Sequence, residues 1–478
     1  MGIDRSGRCA LGCILAAVAI TRVLSIYSFY LYDDAFITFR YAANLAQGNG
    51  LVYNLGQRVQ GTTSPLWALI LAIPVALGIG LEISSRILGL ILDLGVAAGV
   101  YAVLVREGLK RAALLFGFVF AADIYLAKIA VSGMESSLFL LGTAGAAALA
   151  LQGRKMTAAA IAGLCYFLRP EALLFAVCLL GFVWQAEKKF PWKAVLIGAA
   201  VIVAGVAVEA AYFGDVIPQS VRGKFALPRT YSGLWEIVLF PQKDPVQAVL
   251  TITALLSLPY AWKVSRFARI YSAWSGLLFV SWATTGAHLW MWYCVPLFFD
   301  KVLLSAIGAA RFFEKVNLWQ RLRLLLRPAV LLSVVAALWI VLAVGLGPDR
   351  IEANVYSRIR AWSAEHNIRG QTAYGMDFGA FGYYTDVTMK DEPGLVYPPS
   401  LTKYRTDPRA ILLGEKPEWA FVTCYDGNVA MMRSPELSGL YVPVIRFSAK
   451  GDTDVSPSLD SVSPDWMQDF ILYKRKDL

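Results

Sequence analysis

Residues Asp33 to Trp67 read DDAFITFRYAANLAQGNGLVYNLGQRVQGTTSPLW, between the first long apolar segment of the chain and the second. The stretch should therefore form a loop at a membrane face. Its pattern is too regular for a mere connector. If the chain is helical from Asp33, then Asp33, Arg40 and Asn44 fall on one stripe and Phe36, Phe39, Ala43 and Ala46 on another. That is an amphipathic helix, expected to rest its apolar side on the membrane and turn its acid toward a cavity. Asp is also a common helix cap, but a single cap uses one side chain and two acids stand here.

The chain is 478 residues long and 57% hydrophobic. With a mean hydropathy of +0.55, it reads as a polytopic α-helical membrane protein. The first apolar run, Leu11 to about Leu31, is too long for a signal-peptide core and lacks an A-x-A cleavage site, so it is expected to stay as a first span. Arg5 and Arg8 ahead of it place the N-terminus in the cytoplasm. The net charge of +10 is not a nucleic-acid signature, because from Pro348 onward 15 basic residues face 18 acidic ones. The excess lies in the membrane half, as orientation requires. Six scattered cysteines without a CxxC pair, and only two histidines, exclude a Cys/His metal site and a disulfide framework.

Twelve apolar segments are candidate helices: Leu11–Leu31, Pro65–Leu81, Ile83–Val105, Ala112–Val131, Ser136–Leu151, Thr157–Leu168, Ala172–Gln185, Ala194–Phe213, Val246–Trp262, Ile270–Gly286, Val295–Phe312 and Pro328–Gly347. Basic connections at Arg154/Lys155, Glu187–Lys193, Lys263–Arg269 and Arg311–Arg327 recur at every second gap and mark the cytoplasmic side. The opposite side then receives Asp33, Glu135, Arg169 to Glu171, Gly214–Asp244, His288–Tyr293 and the chain after Pro348. An outward final domain needs an odd number of crossings, so one segment between Pro65 and Val131 should be interfacial or re-entrant, leaving eleven spans. Residues 1–347 would form the membrane domain, with a first outer loop at 32–64. Residues 348–478, with short apolar runs such as TAYG, WAFVTC, YVPVIRF and DFILYKR between turn signals, would form a small α/β domain outside the membrane.

This topology collects Asp33, Asp34, Arg40, Glu135, Arg169, Glu171, Lys224, Arg229, His288, Trp290, Trp292 and Tyr293 on one outer face. Ionisable groups at membrane depth are costly and mark function. Carboxylate, cation and indole together suit a substrate with a phosphate, a hydroxyl to deprotonate and a ring to stack. The reaction that needs these parts is sugar transfer from a lipid-linked phosphate to an acceptor hydroxyl, which would use a carboxylate as general base and cations on the departing phosphate. There is no GxxxxGK[ST], no dinucleotide fingerprint and no HExxH. Each residue also has a plainer role: Glu135 as a cap, Arg169 with Glu171 as a local ion pair, Lys224 and Arg229 as solvated loop charges, His288 as structural, and the tryptophans with Tyr293 as an aromatic belt.

The motif resembles the first loop of GT-C membrane glycosyltransferases, in particular the branch of the mycobacterial terminal arabinofuranosyltransferase. The core DD-x-[FY]-I-[ST]-F-R-Y-A-x-N-L, the G-x-G-L-V-[FY]-N segment and the V-x-G-T-[TS]-[SN]-P-L-W end stand in order. SGMESSLF, LRPEALL, GDVIPQSVRGK, WYCVP, DFGAFGYYTD and DEPGLVYPP follow in order. The resemblance implies a polyprenyl-phosphate sugar donor, inversion at the anomeric carbon, and a catalytic Asp33 or Asp34. The transferred sugar would be a pentose such as arabinofuranose or a hexose such as mannose, and the acceptor a hydroxyl of an envelope glycan, lipid or protein. In this reading Asp33, assisted by Asp34, is the base; Arg169, Lys224 and Arg40 hold the donor phosphate; Glu135, Glu171, His288, Trp290, Trp292 and Tyr293 meet sugar or acceptor. Asp33, Asp34 and Glu135 are the residues that a Mg²⁺ or Mn²⁺ would use, and two acids in tandem are equally at home without one. The expected location is the bacterial plasma membrane, with the site and C-terminal domain outside. Membrane lipids are partners and nucleic acid is not. A lipid-linked sugar transporter or flippase is the rival reading, and a membrane scaffold a third.

Overall fold

The computed structural model describes residues 4–226, 244–285, 289–322, 324–346, 355–448 and 469–478. It is a multi-pass helical membrane protein with a small mixed-sheet domain. Each of the twelve apolar segments is mainly helical where it is described, Ala112–Val131 as two helices. By length and composition, six described helices are able to cross a membrane, or seven if the bent pair Lys110–Ala122 and Ile124–Ala130 is one span. Four shorter apolar helices, Pro65–Ala76, Ser136–Leu151, Lys155–Cys165 and Ala172–Glu187, stand beside them.

The chain forms two compact units. The first comprises Met1–Tyr27, Ser85–Val206 and Arg229–Gly345. Its polar interior explains a bend of 65° between Lys110–Ala122 and Ile124–Ala130. A break in a helix frees carbonyls on one side and N–H groups on the other, and apolar surroundings supply no water to satisfy them. Here Arg22 donates to the carbonyls of Phe120 (3.2 Å) and Ala121 (3.0 Å). Asp123 caps the second half, accepting from Tyr125 N and Leu126 N. The Arg22 charge is balanced by Asp93 at 2.8 Å, both groups being buried. Sequence alone singles out Asp93 as an acid inside an apolar run; its partner, in another run, emerges only in the fold.

The second unit comprises Ser28–Ser84, Ala207–Pro228 and Leu346–Leu478, so the first loop belongs with the C-terminal residues. Five strands, β1 (Thr372–Gly375), β2 (Thr388–Asp391), β3 (Trp419–Thr423), β4 (Tyr441–Phe447) and β5 (Phe470–Arg475), form one sheet in the order β2-β1-β3-β5-β4. β1 is parallel to β2 and β3, and β5 runs antiparallel to β3 and β4. Side chains alternate across it, as a strand dictates. Trp419 and Phe421 of β3 enter one core, while Ala420 and Val422 enter the other. The first core also holds Ile37, Tyr41, Tyr53 and Ala68 from the first-loop region.

Candidate active site

The expected first-loop helix is present as Asp33–Ala46, in the second unit. Neither aspartate caps it: Tyr32 occupies the cap position, with no side-chain cap bond. The Asp33 carboxylate instead accepts two backbone N–H bonds from the short helix Gly379–Thr385, with Oδ2 2.8 Å from Gly379 N and Oδ1 2.8 Å from Ala380 N. Two turns further along, Arg40 donates to the carbonyls of Gly382 (2.8 Å) and Val387 (2.7 Å) and to Asp386 at 3.2 Å. Its guanidinium lies over the Tyr53 ring at 4.3 Å. Asn44 completes the stripe by donating to the carbonyls of Val52 and Tyr53.

The predicted stripe of Asp33, Arg40 and Asn44 is therefore real, and all three side chains bond to protein backbone. Arg40, expected at a donor phosphate, is buried with both terminal nitrogens engaged, and only its Nε lacks a hydrogen bond. The apolar stripe departs from expectation too. Phe36 and Phe39 are almost wholly buried. They pack in edge and tilted contacts with Tyr356, Tyr383 and Tyr384 and do not meet lipid.

Burial, followed by the nearby charge of Asp377, raises the Asp33 carboxyl to about 7; the Ala380 and Gly379 amides pull against this, and Asp34 adds a smaller push upward. Asp377 rises to about 6, through burial first and then the charges of Asp34 and Glu392. Asp377 is the acid that sequence reasoning missed. It opens DFGAFGYYTD, a segment singled out by resemblance without a role for any residue in it.

Lys224 lies in the helix Gln219–Ala226 of the same unit. That helix is held by Gln219 Nε2 on the Gly394 carbonyl (2.9 Å) and by Ser220 N on the Gln60 carbonyl (3.2 Å). Gly394 sits in a loop gathered by Asp391, which accepts the amides of Leu395, Val396 and Tyr397.

The remaining candidates belong to the first unit. Arg169 is buried, 2.6 Å from Glu135 Oε1 and 3.5 Å from Glu171. It also donates to the Trp292 carbonyl (2.6 Å) and to Ser136 Oγ (2.9 Å). The rings of Phe139 and Tyr293 flank it at 5.6 Å and 5.7 Å. Glu135 stands at the cap position of Ser136–Leu151 but gives its carboxylate to Arg169, so it makes no cap bond. Arg169, expected at the donor phosphate, thus joins two helix starts to the turn Met291–Cys294 with its charge balanced by two acids. Trp290 and Trp292 stack nearly parallel, 2° apart in plane and 5.5 Å between centroids, with Trp290 exposed. His288 and Arg229 lie outside the described residues, as does Tyr231–Phe240.

Among the described residues, no group of three or more His, Cys, Asp or Glu side chains is arranged to hold a metal ion. Of the three named candidate ligands, Asp33 is committed to two amides and Glu135 to a guanidinium.

No family model matches the chain. Over 246 residues it is 28% identical to the terminal beta-(1->2)-arabinofuranosyltransferase of Corynebacterium glutamicum, a match covering 44% of this chain and 35% of that protein. In fold it matches ArnT from Cupriavidus metallidurans bound to undecaprenyl phosphate, with a TM-score of 0.61, 12% identity and 98% of each chain covered. It also matches the oligosaccharyltransferase of Archaeoglobus fulgidus, with a TM-score of 0.52 and 12% identity over 95% of this chain and 75% of that one. The chain thus shares its fold with both of these proteins. The fold likeness to ArnT extends over 98% of the chain, whereas the curated relative is matched over about a third of its own length.

Proposed function

We propose that this protein is an inverting glycosyltransferase that moves a sugar from a polyprenyl-phosphate donor to an acceptor hydroxyl of the cell envelope. The observation that carries this reading is the end-to-end fold likeness to a protein crystallised with undecaprenyl phosphate. The match to an arabinofuranosyltransferase favours a pentose over a hexose. Asp33, assisted by Asp34, takes the proton of the acceptor hydroxyl; the hydroxyl oxygen bonds to the anomeric carbon from the face opposite the phosphate. The bond from that carbon to the phosphate oxygen breaks, and polyprenyl phosphate leaves with the electron pair. Lys224, in the same unit as Asp33, is the proposed cation on that phosphate. The test is transfer from radiolabelled polyprenyl-phosphate arabinose and mannose by purified protein. Asp33→Asn and Asp34→Asn are expected to lose at least 10²-fold in turnover; near-normal turnover in both removes the chemistry.

The proposed topology has eleven crossings, a cytoplasmic N-terminus and an extracytoplasmic C-terminal domain. Its support is that Pro65–Ala76, with Pro74 inside it, groups with the second unit and not with the other apolar helices. Single cysteines at Gly78 and Gly108 read by impermeant thiol reagents check it; the first should label from outside and the second only after lysis.

One observation favours the transporter reading, namely the span broken at Asp123, since transporters use broken helices at their sites. Against it, the groups freed by the break are satisfied by Arg22 and Asp123. Proteoliposomes that move labelled lipid-linked sugar without an acceptor would reverse the choice.

A further inference from the structure

The helix Gly379–Thr385 is gripped at both ends by one helix, Asp33–Ala46. Asp33 meets the amides at its start and Arg40 the carbonyls at its end. The charges match the helix dipole, anion at the N-terminus and cation at the C-terminus. Seven residues separate Asp33 from Arg40, two turns on one face, so both grips come from a single rigid stripe. The approach is close enough to dictate a residue type. A Cβ built on Gly379 would stand 2.0 Å from the Asp33 carbonyl oxygen and 2.8 Å from Asp33 Oδ2. The nearer of these is backbone, which has no rotamer to escape into.

We propose that Gly379 and Ala380 are positioning residues for the carboxylate of Asp33: their two amides aim it, and Gly379 serves because it has no side chain. The proposal rests on the reading of Asp33 as the base. Two N–H bonds, one to each oxygen, fix the plane of the carboxylate and leave lone pairs on both oxygens for an incoming hydroxyl. A base is effective only when held at the reacting proton, and a displacement of about 1 Å costs on the order of 10²-fold in rate. DFGAFGYYTD thereby acquires a function on the reacting side of the protein, not merely in the packing of the outer domain.

The test uses the full-length protein in lipid nanodiscs with two variants. Gly379→Ala introduces the clash. Ala380→Pro deletes one donor where proline is tolerated, in the first turn of a helix. Two readouts are taken: turnover and KM for polyprenyl-phosphate sugar, and carbodiimide labelling of Asp33 relative to Asp34 in the same peptide by tandem mass spectrometry. The second needs no turnover, and Ala380→Pro remains available if Gly379→Ala does not fold. The expected result is a 10- to 100-fold loss of kcat with donor KM unchanged, together with a several-fold rise in the labelling of Asp33. Unchanged labelling in a folded variant overturns the inference and leaves the glycosyltransferase reading intact. Raised labelling with undiminished kcat overturns Asp33 as the base, and this inference with it.

Discussion

At the scale of single residues, the two carboxyls near the start of the first-loop helix make pH a direct probe. Asp33 must be ionised to accept a proton, and its carboxyl is raised to about 7 by burial and by Asp377. Transfer is therefore expected to rise as pH increases through about 7 and to fall off below pH 6, measured as kcat against pH with saturating donor. Stability runs the other way for Asp377. Its pKa is raised on folding from 3.8 to about 6, so the folded state binds the proton more tightly than the unfolded one. The stability gained by protonation is complete below 3.8 and is lost as pH rises through about 6. Asp377→Asn is expected to raise the melting temperature at pH 8 by a few degrees and to leave it unchanged at pH 3.5. The Arg22–Asp93 pair behaves as a buried ion pair: removing one partner strands the other charge. Asp93→Leu is expected to cost about 3–5 kcal/mol, read from thermal unfolding in detergent.

At the scale of elements, the first-loop helix shows what periodicity can and cannot disclose. The 3.6-residue period put Asp33, Arg40 and Asn44 on one face, and that face exists. What the face meets was not legible, because Gly379 lies 346 residues from Asp33 along the chain and no local pattern links them. Phe36 and Phe39 misled for the same reason, since an apolar stripe looks alike whether it meets lipid or tyrosines. Glu135 looked like a cap because it holds the cap position, but Arg169, folded against it from another helix end, was the stronger partner. The helix Gly379–Thr385 holds Asp33 and Arg40 together, although in sequence it is only a run of small and aromatic residues. Arg40→Lys tests its grip. One ammonium lacks the planar fork that reaches the carbonyls of Gly382 and Val387 together. Turnover is expected to fall about tenfold if the helix end shifts by a few tenths of an ångström, whereas Arg40→Lys with wild-type kcat would show the C-terminal grip to be dispensable.

At the scale of the whole molecule, the apolar helical character was readable from composition, and the twelve apolar segments are mainly helical, Ala112–Val131 as a bent pair. The partition was harder to read, because the second unit is assembled from three separated stretches of chain. Its core joins Ile37, Tyr41 and Tyr53 to Phe381 and Phe421. A chain cut after Leu346 is accordingly expected to leave first-loop apolar surface uncovered and to be cleared by proteases, measured as steady-state level against full length. This interleaving also sets a clock on biosynthesis. The ribosome makes Asp33 346 residues before the amide that will hold it, an interval of about 20–70 s at 5–20 residues per second. Through that interval the acid has left the translation tunnel without its restraint, so a nascent chain reaches the bilayer with this carboxylate unaimed.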